Sequence, residues 1–342
     1  MSLIVGAIGA VERTPLPDSV TRAGIGWLVA RSRRRLAGSP ANDGRFAADM
    51  ATRRVAEHAD KANAQHYELP ASFFALALGP RRKYSCCLYD DGARTLAEAE
   101  ISALETTVRR ADLRDGQHIL ELGCGWGSLS LFMAERFPNA RIVAVSNSAS
   151  QRAFIESEAA RRSLTNLEVV TADMNDFAAG ARFDRVVSVE MFEHMANWRA
   201  LLTRIRGWLA PEGALFIHVF THRTGCYRFD SADRSDWIAQ HFFTGGVMPS
   251  HGLIAEFPDL FAIEQAWRWN GVNYQRTALD WLANFDARRE PIDAILGDVY
   301  GNRARLWRRR WRLFFLSTAG LFGDRGGEEW GVSHYRLRPS NA

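Results

Sequence analysis

The chain has 342 residues, of which 47% are hydrophobic and 24% charged, and a formal net charge of +4 at pH 7. This length allows one large domain or two modest ones, and the composition excludes a long disordered protein. The small basic surplus lies in arginine runs at 32–35 and 308–310. Such runs are typical of solvated helix faces, so we expect no nucleic-acid partner.

The cysteines and the apolar runs restrict the class of protein further. The four cysteines form no paired CxxC motif, so the sequence predicts neither a disulfide framework nor a metal site, and we expect a reducing, cytoplasmic compartment. No apolar run reaches the roughly 20 residues that a membrane span needs. The first apolar stretch has no basic residue ahead of it, whereas a secretory signal would.

Residues 1–65 are predicted to form an N-terminal helical segment. Apolar residues recur at helical spacing within 18–36, and arginines occupy its end, where positive charge favours a helix C-terminus. A second helix is predicted over 44–60. Because Pro70 interrupts helical structure, we predict a separate domain over 66–342.

From residue 117 onward, short apolar runs alternate with helical patterns. The apolar runs are 118–123, 140–146, 167–173, 185–190 and 214–220, and the helical patterns between them are 128–137, 149–162 and 197–209. This alternation predicts an α/β, doubly wound fold, in which helices cover a parallel sheet. A cap insertion is predicted over about 222–290. Further strands are predicted at 261–269 and 331–339, and a further helix at 302–322.

Three glycines, Gly123, Gly125 and Gly127, close the first strand and open a helix. Glycine there lets the backbone turn tightly and approach a ligand without a side-chain collision. The spacing is G-x-G-x-G, whereas nicotinamide and flavin sites use G-x-G-x-x-G. The loop therefore predicts a ligand at the strand end and disfavours a dinucleotide.

The residues at the ends of the second and third strands restrict the chemical class of the ligand. The second strand ends in Ser146 and Asn147, where a dinucleotide site would carry an acidic residue for the ribose. The third ends in Asp173 and Met174, which offer a carboxylate for the adenine amine and an apolar side chain for the adenine ring. This pattern favours an adenosyl group without phosphates.

Several stretches together resemble a known family, the cyclopropane fatty acid synthase-like methyltransferases, and within it the coclaurine N-methyltransferase-like members. The resemblance extends from about His66 to Arg338. The stretches are HYELPASFF, KYSCC, LELGCGWGSLSL, SNSASQ, EMFEHM, DWIAQHFFTGGVMPS, NYQRT and FFLSTAGLFGDRGGEEW. The resemblance implies a class I methyltransferase (Rossmann-like) sheet and the cofactor S-adenosylmethionine.

The resemblance also implies which residues hold the cofactor. Within the SNSASQ stretch, Ser146, Asn147 and Gln151 would replace the acidic ribose ligand of other methyltransferases. The full implied set is Tyr84, Ser85, Glu121, Gly123, Gly125, Gly127, Ser146, Asn147, Gln151, Asp173 and Met174.

An acid–base cluster is predicted where the fourth strand ends, at Glu190, Glu193 and His194. If the chain turns helical there, the three side chains share one face. Methyl transfer to an amine needs a base, because an amine near neutral pH is mostly ammonium. The resemblance implies that the family's catalytic Glu and His map onto these positions. We therefore predict that Glu193 and His194 act as the base and the residue that orients it, and that Glu190 steers the substrate amine.

The alternative activity is methylation or cyclopropanation of unsaturated acyl lipids. In the cyclopropane-forming branch of the family a bicarbonate acts as base, and its pocket maps onto Cys86, Glu193, His218 and Tyr274. Bicarbonate is expected only under this alternative; otherwise Cys86, His218 and Tyr274 would belong to the acceptor pocket. The DWIAQHFFTGGVMPS and GEEW stretches resemble the amine-methylating branch, so a small aromatic or alkaloid-like amine is the expected acceptor.

A third hypothesis is a binding protein without turnover, whose arginine-rich 303–312 helix contacts nucleic acid or membrane. The presence of both Glu193 and His194 argues against it. The sequence leaves the oligomeric state open, a homodimer included.

Overall fold

The computed structural model describes residues 3–14, 16–38, 42–57, 69–90 and 92–340. The helices are α1 (Leu3–Arg13), α2 (Asp18–Ala37), α3 (Asp43–Ala51), α4 (Ala71–Ala77), α5 (Leu96–Ala111), α6 (Ser128–Arg136), α7 (Ala149–Arg161), α8 (Trp198–Trp208), α9 (Trp237–His241), α10 (Val272–Ala287), α11 (Arg289–Tyr300) and α12 (Ala304–Phe322). The strands are β1 (His118–Leu122), β2 (Arg141–Ser146), β3 (Leu167–Thr171), β4 (Phe183–Val189), β5 (Leu209–His222), β6 (Tyr227–Arg228), β7 (Val247–Met248), β8 (Phe261–Asn270) and β9 (Trp330–Pro339).

Seven strands form one sheet in the order β3-β2-β1-β4-β5-β9-β8. Strands β1 to β5 pair in parallel, whereas β9 pairs antiparallel with both β5 and β8. The five apolar runs of the sequence form the parallel strands. In β1, β2, β4 and β5 most side chains are buried, whereas the edge strand β3 buries only Val169. The predicted doubly wound α/β fold is confirmed.

The strand register brings the sequence motifs to one edge of the sheet. Leu122, at the end of β1, lies opposite Val145 on β2 and Ser188 on β4. Val189, the last residue of β4, lies opposite His218. The glycine loop, Ser146 and Glu190 therefore follow neighbouring strands at the same carboxyl edge, where doubly wound folds bind ligands.

A C-terminal helical layer covers the segment that precedes α5. Its helices α10 and α12 pack on each other through fully buried aromatic side chains, among them Trp281, Phe285 and Trp311. Backbone N–H groups of Cys87 and Tyr89 donate to side chains on α10, at Thr277 (3.1 Å) and Asn273 (2.7 Å). These bonds fix the KYSCC stretch against α10.

The N-terminal predictions are met in part. The helix expected over 18–36 is α2, but the helix expected over 44–60 ends at Ala51. Beyond it the backbone bonds to other segments: Val55 O accepts from Ala196 N (2.8 Å), and Ala56 N donates to the Asn175 side chain (3.1 Å). Residues 58–60, the proposed boundary at 65/66 and the HYE part of the HYELPASFF motif lie outside the described residues.

Within the range predicted as a cap, residues 223–260 form the two-stranded sheet of β6 and β7 and the short helix α9. The same range also contains β8, which is an edge strand of the main sheet.

Within the described ranges, no helix combines the length and the apolar character needed to cross a membrane.

Candidate active site

All three glycines of the loop after β1 have positive φ, at 79° for Gly123, 52° for Gly125 and 76° for Gly127. A Cβ at Gly123 would lie 2.7 Å from the Met191 side chain, and one at Gly127 2.6 Å from that of Ile155. A Cβ at Gly125 would meet no atom within 4 Å. Two glycines therefore allow close packing, while Gly125 borders open space.

That open space is a pocket at the carboxyl edge of β1, β2, β3 and β4. Of the predicted cofactor and catalytic residues, its lining includes Gly123, Gly125, Ser146, Asn147, Gln151, Asp173, Met174, Glu190 and His194. Sequence reasoning missed the other lining residues, which are Ala56, Glu57, Val145, Ala172, Met191, Met195 and Thr244. Ala56 and Glu57 precede the sheet by many residues, and only the tertiary fold brings them here.

Two polar side chains of the pocket have hydrogen-bonding capacity to spare. The Ser146 hydroxyl donates to Oε1 of the buried Gln151 (2.6 Å), and Gln151 Nε2 has no partner among the described residues. Asp173 Oδ1 accepts from the Asn175 backbone (2.7 Å) and side chain (2.9 Å), and its other oxygen accepts no hydrogen bond from the described residues. A free amide donor and a free carboxylate oxygen suit ribose hydroxyls and an adenine amine, so the pocket fits an adenosyl group.

Four predicted cofactor residues lie outside the pocket lining: Tyr84, Ser85, Glu121 and Gly127. The buried Ser85 hydroxyl accepts from Lys83 Nζ (2.5 Å), and Tyr84 packs against Phe74 and Trp281. Glu121 accepts from the Ser130 hydroxyl (2.5 Å), and its complete burial raises its pKa to about 8. In this arrangement Glu121 holds the first turn of α6 from beneath the glycine loop.

Glu190 follows β4 in the left-handed region, at φ 49°, and its carboxylate is the centre of a buried cluster. Its Oε1 accepts from Cys86 N (2.9 Å) and lies 3.2 Å from His218 Nε2, and its Oε2 accepts from the Tyr274 hydroxyl (2.7 Å). Burial raises the pKa of Glu190, and the nearby Lys83 cation and the hydrogen bonds oppose that shift. Three of the four residues predicted to hold bicarbonate therefore surround Glu190 instead.

Glu193 lies on a single 3₁₀ turn, Phe192–His194, so the shared helical face expected for Glu190, Glu193 and His194 is wrong. The left-handed backbone of Glu190 prevents a helix from starting there. The Glu193 side chain is buried, and neither carboxylate oxygen has a hydrogen-bond partner among the described residues. Burial and the charge of Glu190 raise its pKa well above the usual range.

His194 borders the pocket and stacks on Phe243, with ring centroids 4.4 Å apart. Phe243 in turn packs against Phe229 and Phe220. Phe220 of β5, with Phe229 and Phe243 from the segment that follows it, therefore forms an aromatic wall behind His194.

Sequence reasoning missed Lys83, whose buried ammonium donates to the Ser85 hydroxyl and to Cys86 O (2.6 Å). One signal was available, since Lys83 is one of only two lysines in a chain with 43 basic residues.

We expect Glu193→Gln to stabilise the protein increasingly as pH rises above the unfolded-state pKa of 4.5. Above that pH the unfolded carboxyl loses its proton, while the raised folded pKa keeps it protonated, so stability of the parent falls with pH. Glutamine resembles the protonated acid but does not titrate, so the stability of the variant does not fall with pH at this position. The difference in unfolding free energy should grow by up to about 1.4 kcal/mol per pH unit. Denaturant melts at pH 4 to 8 measure it, and a constant difference would contradict the raised pKa.

Comparison with known proteins places this geometry in a family. The family model described as mycolic acid cyclopropane synthetase matches residues 54–325. (S)-Coclaurine N-methyltransferase of Thalictrum flavum subsp. glaucum is 37% identical over 286 residues, which are 82% of this chain and 79% of that protein. The cyclopropane-fatty-acyl-phospholipid synthase of Escherichia coli K12 is 29% identical over 78% of this chain and 66% of that protein.

A solved structure of coclaurine N-methyltransferase, bound to N-methylheliamine and S-adenosylhomocysteine, superposes with a TM-score of 0.94. It is 32% identical and covers 98% of this chain and 100% of that chain.

Proposed function

Because this chain belongs to the mycolic acid cyclopropane synthetase family and is an S-adenosylmethionine-dependent methyltransferase, we propose that it methylates the nitrogen of a small, aromatic, isoquinoline-like amine. The observation that carries the proposal is the pair of buried carboxyl groups, Glu190 and Glu193, next to His194, which stacks on an aromatic wall. Buried acids attract a cationic ammonium, and aromatic faces favour both a flat ring and a cation. An alkene offers no charge to such a site.

The bound cofactor would supply a methyl group on a sulfonium. Gly125 would let the cofactor approach the loop backbone, since no side chain occupies the space beside this glycine. The free Nε2 of Gln151 would donate to the ribose, and Asp173 would accept from the adenine amine. Tyr84, Ser85 and Glu121 would support this site from behind, since they lie outside the lining.

The acceptor arrives as an ammonium and must lose one proton before its lone pair can attack. We assign the proton to the Glu193 carboxylate, whose oxygens have no partner among the described residues. Glu193 would release its own proton to solvent when the ammonium binds beside it, because a neighbouring cation favours the ionised acid. The N–H bond breaks as the Glu193 O–H bond forms; the new N–C bond then forms as the C–S bond breaks, and its electrons stay on sulfur. Glu190 would remain an anion that attracts the ammonium, because three donors already surround it. His194, between the pocket and Phe243, would orient the acceptor.

Under the lipid alternative bicarbonate would act as base, but Glu190 already occupies three of the groups mapped to its pocket. The Glu190 carboxylate already lies beside Cys86 N, His218 Nε2 and the Tyr274 hydroxyl, which are the groups mapped to the bicarbonate pocket. These contacts favour a built-in carboxylate over an external one.

Methylation of an amine is therefore expected to proceed at the same rate with and without added bicarbonate. In Glu190→Gly, glycine accepts the positive φ of this position, and the groups that surround the Glu190 carboxylate lose their partner. The methylation rate should fall about tenfold or more. Added formate or bicarbonate should restore part of that rate by taking the place of the carboxylate. Initial rates in carbonate-free buffer measure both. Stimulation of the parent enzyme by bicarbonate would favour the lipid alternative.

The acceptor class is tested by competition. Methyl-labelled cofactor is incubated with the enzyme, a panel of primary and secondary arylalkylamines, and vesicles of unsaturated phospholipid. We expect label in an amine and none in lipid above the level of the Glu193→Gln enzyme. Label in lipid alone would overturn the proposal.

A further inference from the structure

A row of buried polar groups runs from Glu190 away from the pocket, through two histidines to an arginine. His218 Nε2 lies 3.2 Å from Glu190 Oε1, and His218 Nδ1 lies 2.9 Å from His334 Nε2. His334 Nδ1 lies 2.9 Å from Arg110 Nη1. Four residues, from β5, β9, α5 and the turn after β4, thus form one continuous relay.

The fold fixes the spacing of this relay. His218 and His334 lie directly opposite each other in the antiparallel pair of β5 and β9, so their side chains share one face of the sheet. Both side chains have 0% exposure. Arg110, in the last turn of α5, lies over the rings of Trp267 (5.1 Å) and Trp269 (5.7 Å), which position its guanidinium at His334.

The chemistry of the arginine end determines which nitrogens carry protons. A guanidinium only donates, so His334 Nδ1 must accept and the proton of His334 lies on Nε2. That N–H points at His218 Nδ1, which must therefore accept in turn. The remaining proton of His218 then lies on Nε2 and is donated to the Glu190 carboxylate.

A charged imidazole does not fit this row. A protonated His334 would present an N–H to the guanidinium, with no acceptor between them. Burial and the positive charges of Arg110 and Lys83 also lower the pKa of both histidines well below the usual range. Both rings are neutral, and each has a single tautomer that satisfies its neighbours.

We infer that Arg110 and His334 are positioning residues, which set the tautomer of His218 and so keep an N–H donor on the carboxylate of Glu190. Neither residue lines the pocket. Without this donor His218 could turn a lone pair toward Glu190, and the carboxylate would rotate or take up a proton. The expected effect on turnover rests on the proposed function, in which Glu190 attracts the amine. The assignment of the tautomers does not depend on that function.

The tautomers are read by NMR of protein labelled with ¹⁵N-histidine, without cofactor or acceptor. Substitution of each histidine in turn assigns its signals. We expect protonated Nε2 and bare Nδ1 for both His218 and His334. In Arg110→Met the signals of both should shift toward a mixture of tautomers, while Arg109→Met, which removes the same charge one residue away, should leave them unchanged. Protonated Nδ1 on His334, or unchanged signals in Arg110→Met, would overturn the inference.

A second pair of variants separates the donor from packing. His334→Gln keeps an N–H group that can reach His218, whereas His334→Leu removes it at similar size. We expect His334→Leu and Arg110→Met to lower kcat/KM for the amine by roughly 10- to 100-fold, the range typical of residues that hold an active group from behind. His334→Gln should retain most activity, and cofactor affinity should stay constant throughout. Equal loss in both His334 variants would contradict the donor role, and a parent enzyme inactive on amines would contradict only the proposed function.

Discussion

Glu193→Gln is expected to lower kcat for amine methylation by about 100- to 10,000-fold, the usual contribution of a general base. The reason is the environment of the carboxyl group, which is buried beside Glu190 and has no hydrogen-bond partner among the described residues. An arriving ammonium would supply the missing partner and favour the ionised acid, which can then remove the proton. Glutamine keeps the shape of the side chain and cannot accept a proton.

Two measurements isolate this effect from general damage. Calorimetry should give nearly the same cofactor affinity for Glu193→Gln as for the parent, because Glu193 does not line the pocket. Glu57→Gln makes the same side-chain change at a residue that does line it, and should retain most of the turnover. If Glu193→Gln turns over amine as fast as the parent, Glu193 is not the base.

Gly125→Leu is expected to abolish cofactor binding, with at least a 100-fold loss of affinity, or about 2.7 kcal/mol. Gly125 has a φ of 52° and borders the pocket, so a leucine side chain would enter the space assigned to the cofactor. Isothermal titration with S-adenosylhomocysteine measures the loss.

Gly116→Leu is the matched control for backbone strain. Gly116 also has positive φ, at 80°, and its Cβ would meet no atom within 4 Å, but it does not line the pocket. A leucine there carries the same kind of strain, about 1–2 kcal/mol, and should leave cofactor affinity unchanged. Unchanged affinity in Gly125→Leu, or an equal loss in Gly116→Leu, would refute the assignment of the glycine loop.

The sheet and one edge of the site could be predicted from local patterns. Each parallel strand is a continuous apolar run bounded by turn or helix signals, and parallel strands place their carboxyl ends on one edge. That rule by itself places Gly123, Ser146, Asp173 and Glu190 together at this edge. The resemblance to the family, carried by the quoted motifs, is likewise confirmed by the family match.

The interior of the site could not be predicted in the same way. Cys86, Glu190, His218 and Tyr274 come from separate elements, and the sequence does not encode which carboxylate accepts from them. The decisive feature is the left-handed backbone of Glu190, which local preference disfavours and only the packed surroundings enforce. The family resemblance mapped Cys86, His218 and Tyr274, with Glu193, to a bicarbonate pocket under the lipid alternative, whereas in the structure the three contact Glu190.

Long-range contacts also explain the other differences. The helix α3 ends early because its following residues bond to the loops after β3 and β4. The partners of Arg110 and His334 depend on the pairing of β5, β9 and β8, which a single sequence does not specify.

The position of the transferred methyl group tests the central claim most directly. A secondary amine such as tetrahydroisoquinoline is incubated with the enzyme and ¹³C-methyl-labelled cofactor, and the product is analysed by NMR and mass spectrometry. The account predicts one labelled methyl group on the ring nitrogen, formed by the parent enzyme and nearly absent with Glu193→Gln. Label on a carbon atom, or no labelled amine while unsaturated phospholipid takes up the label, would contradict it.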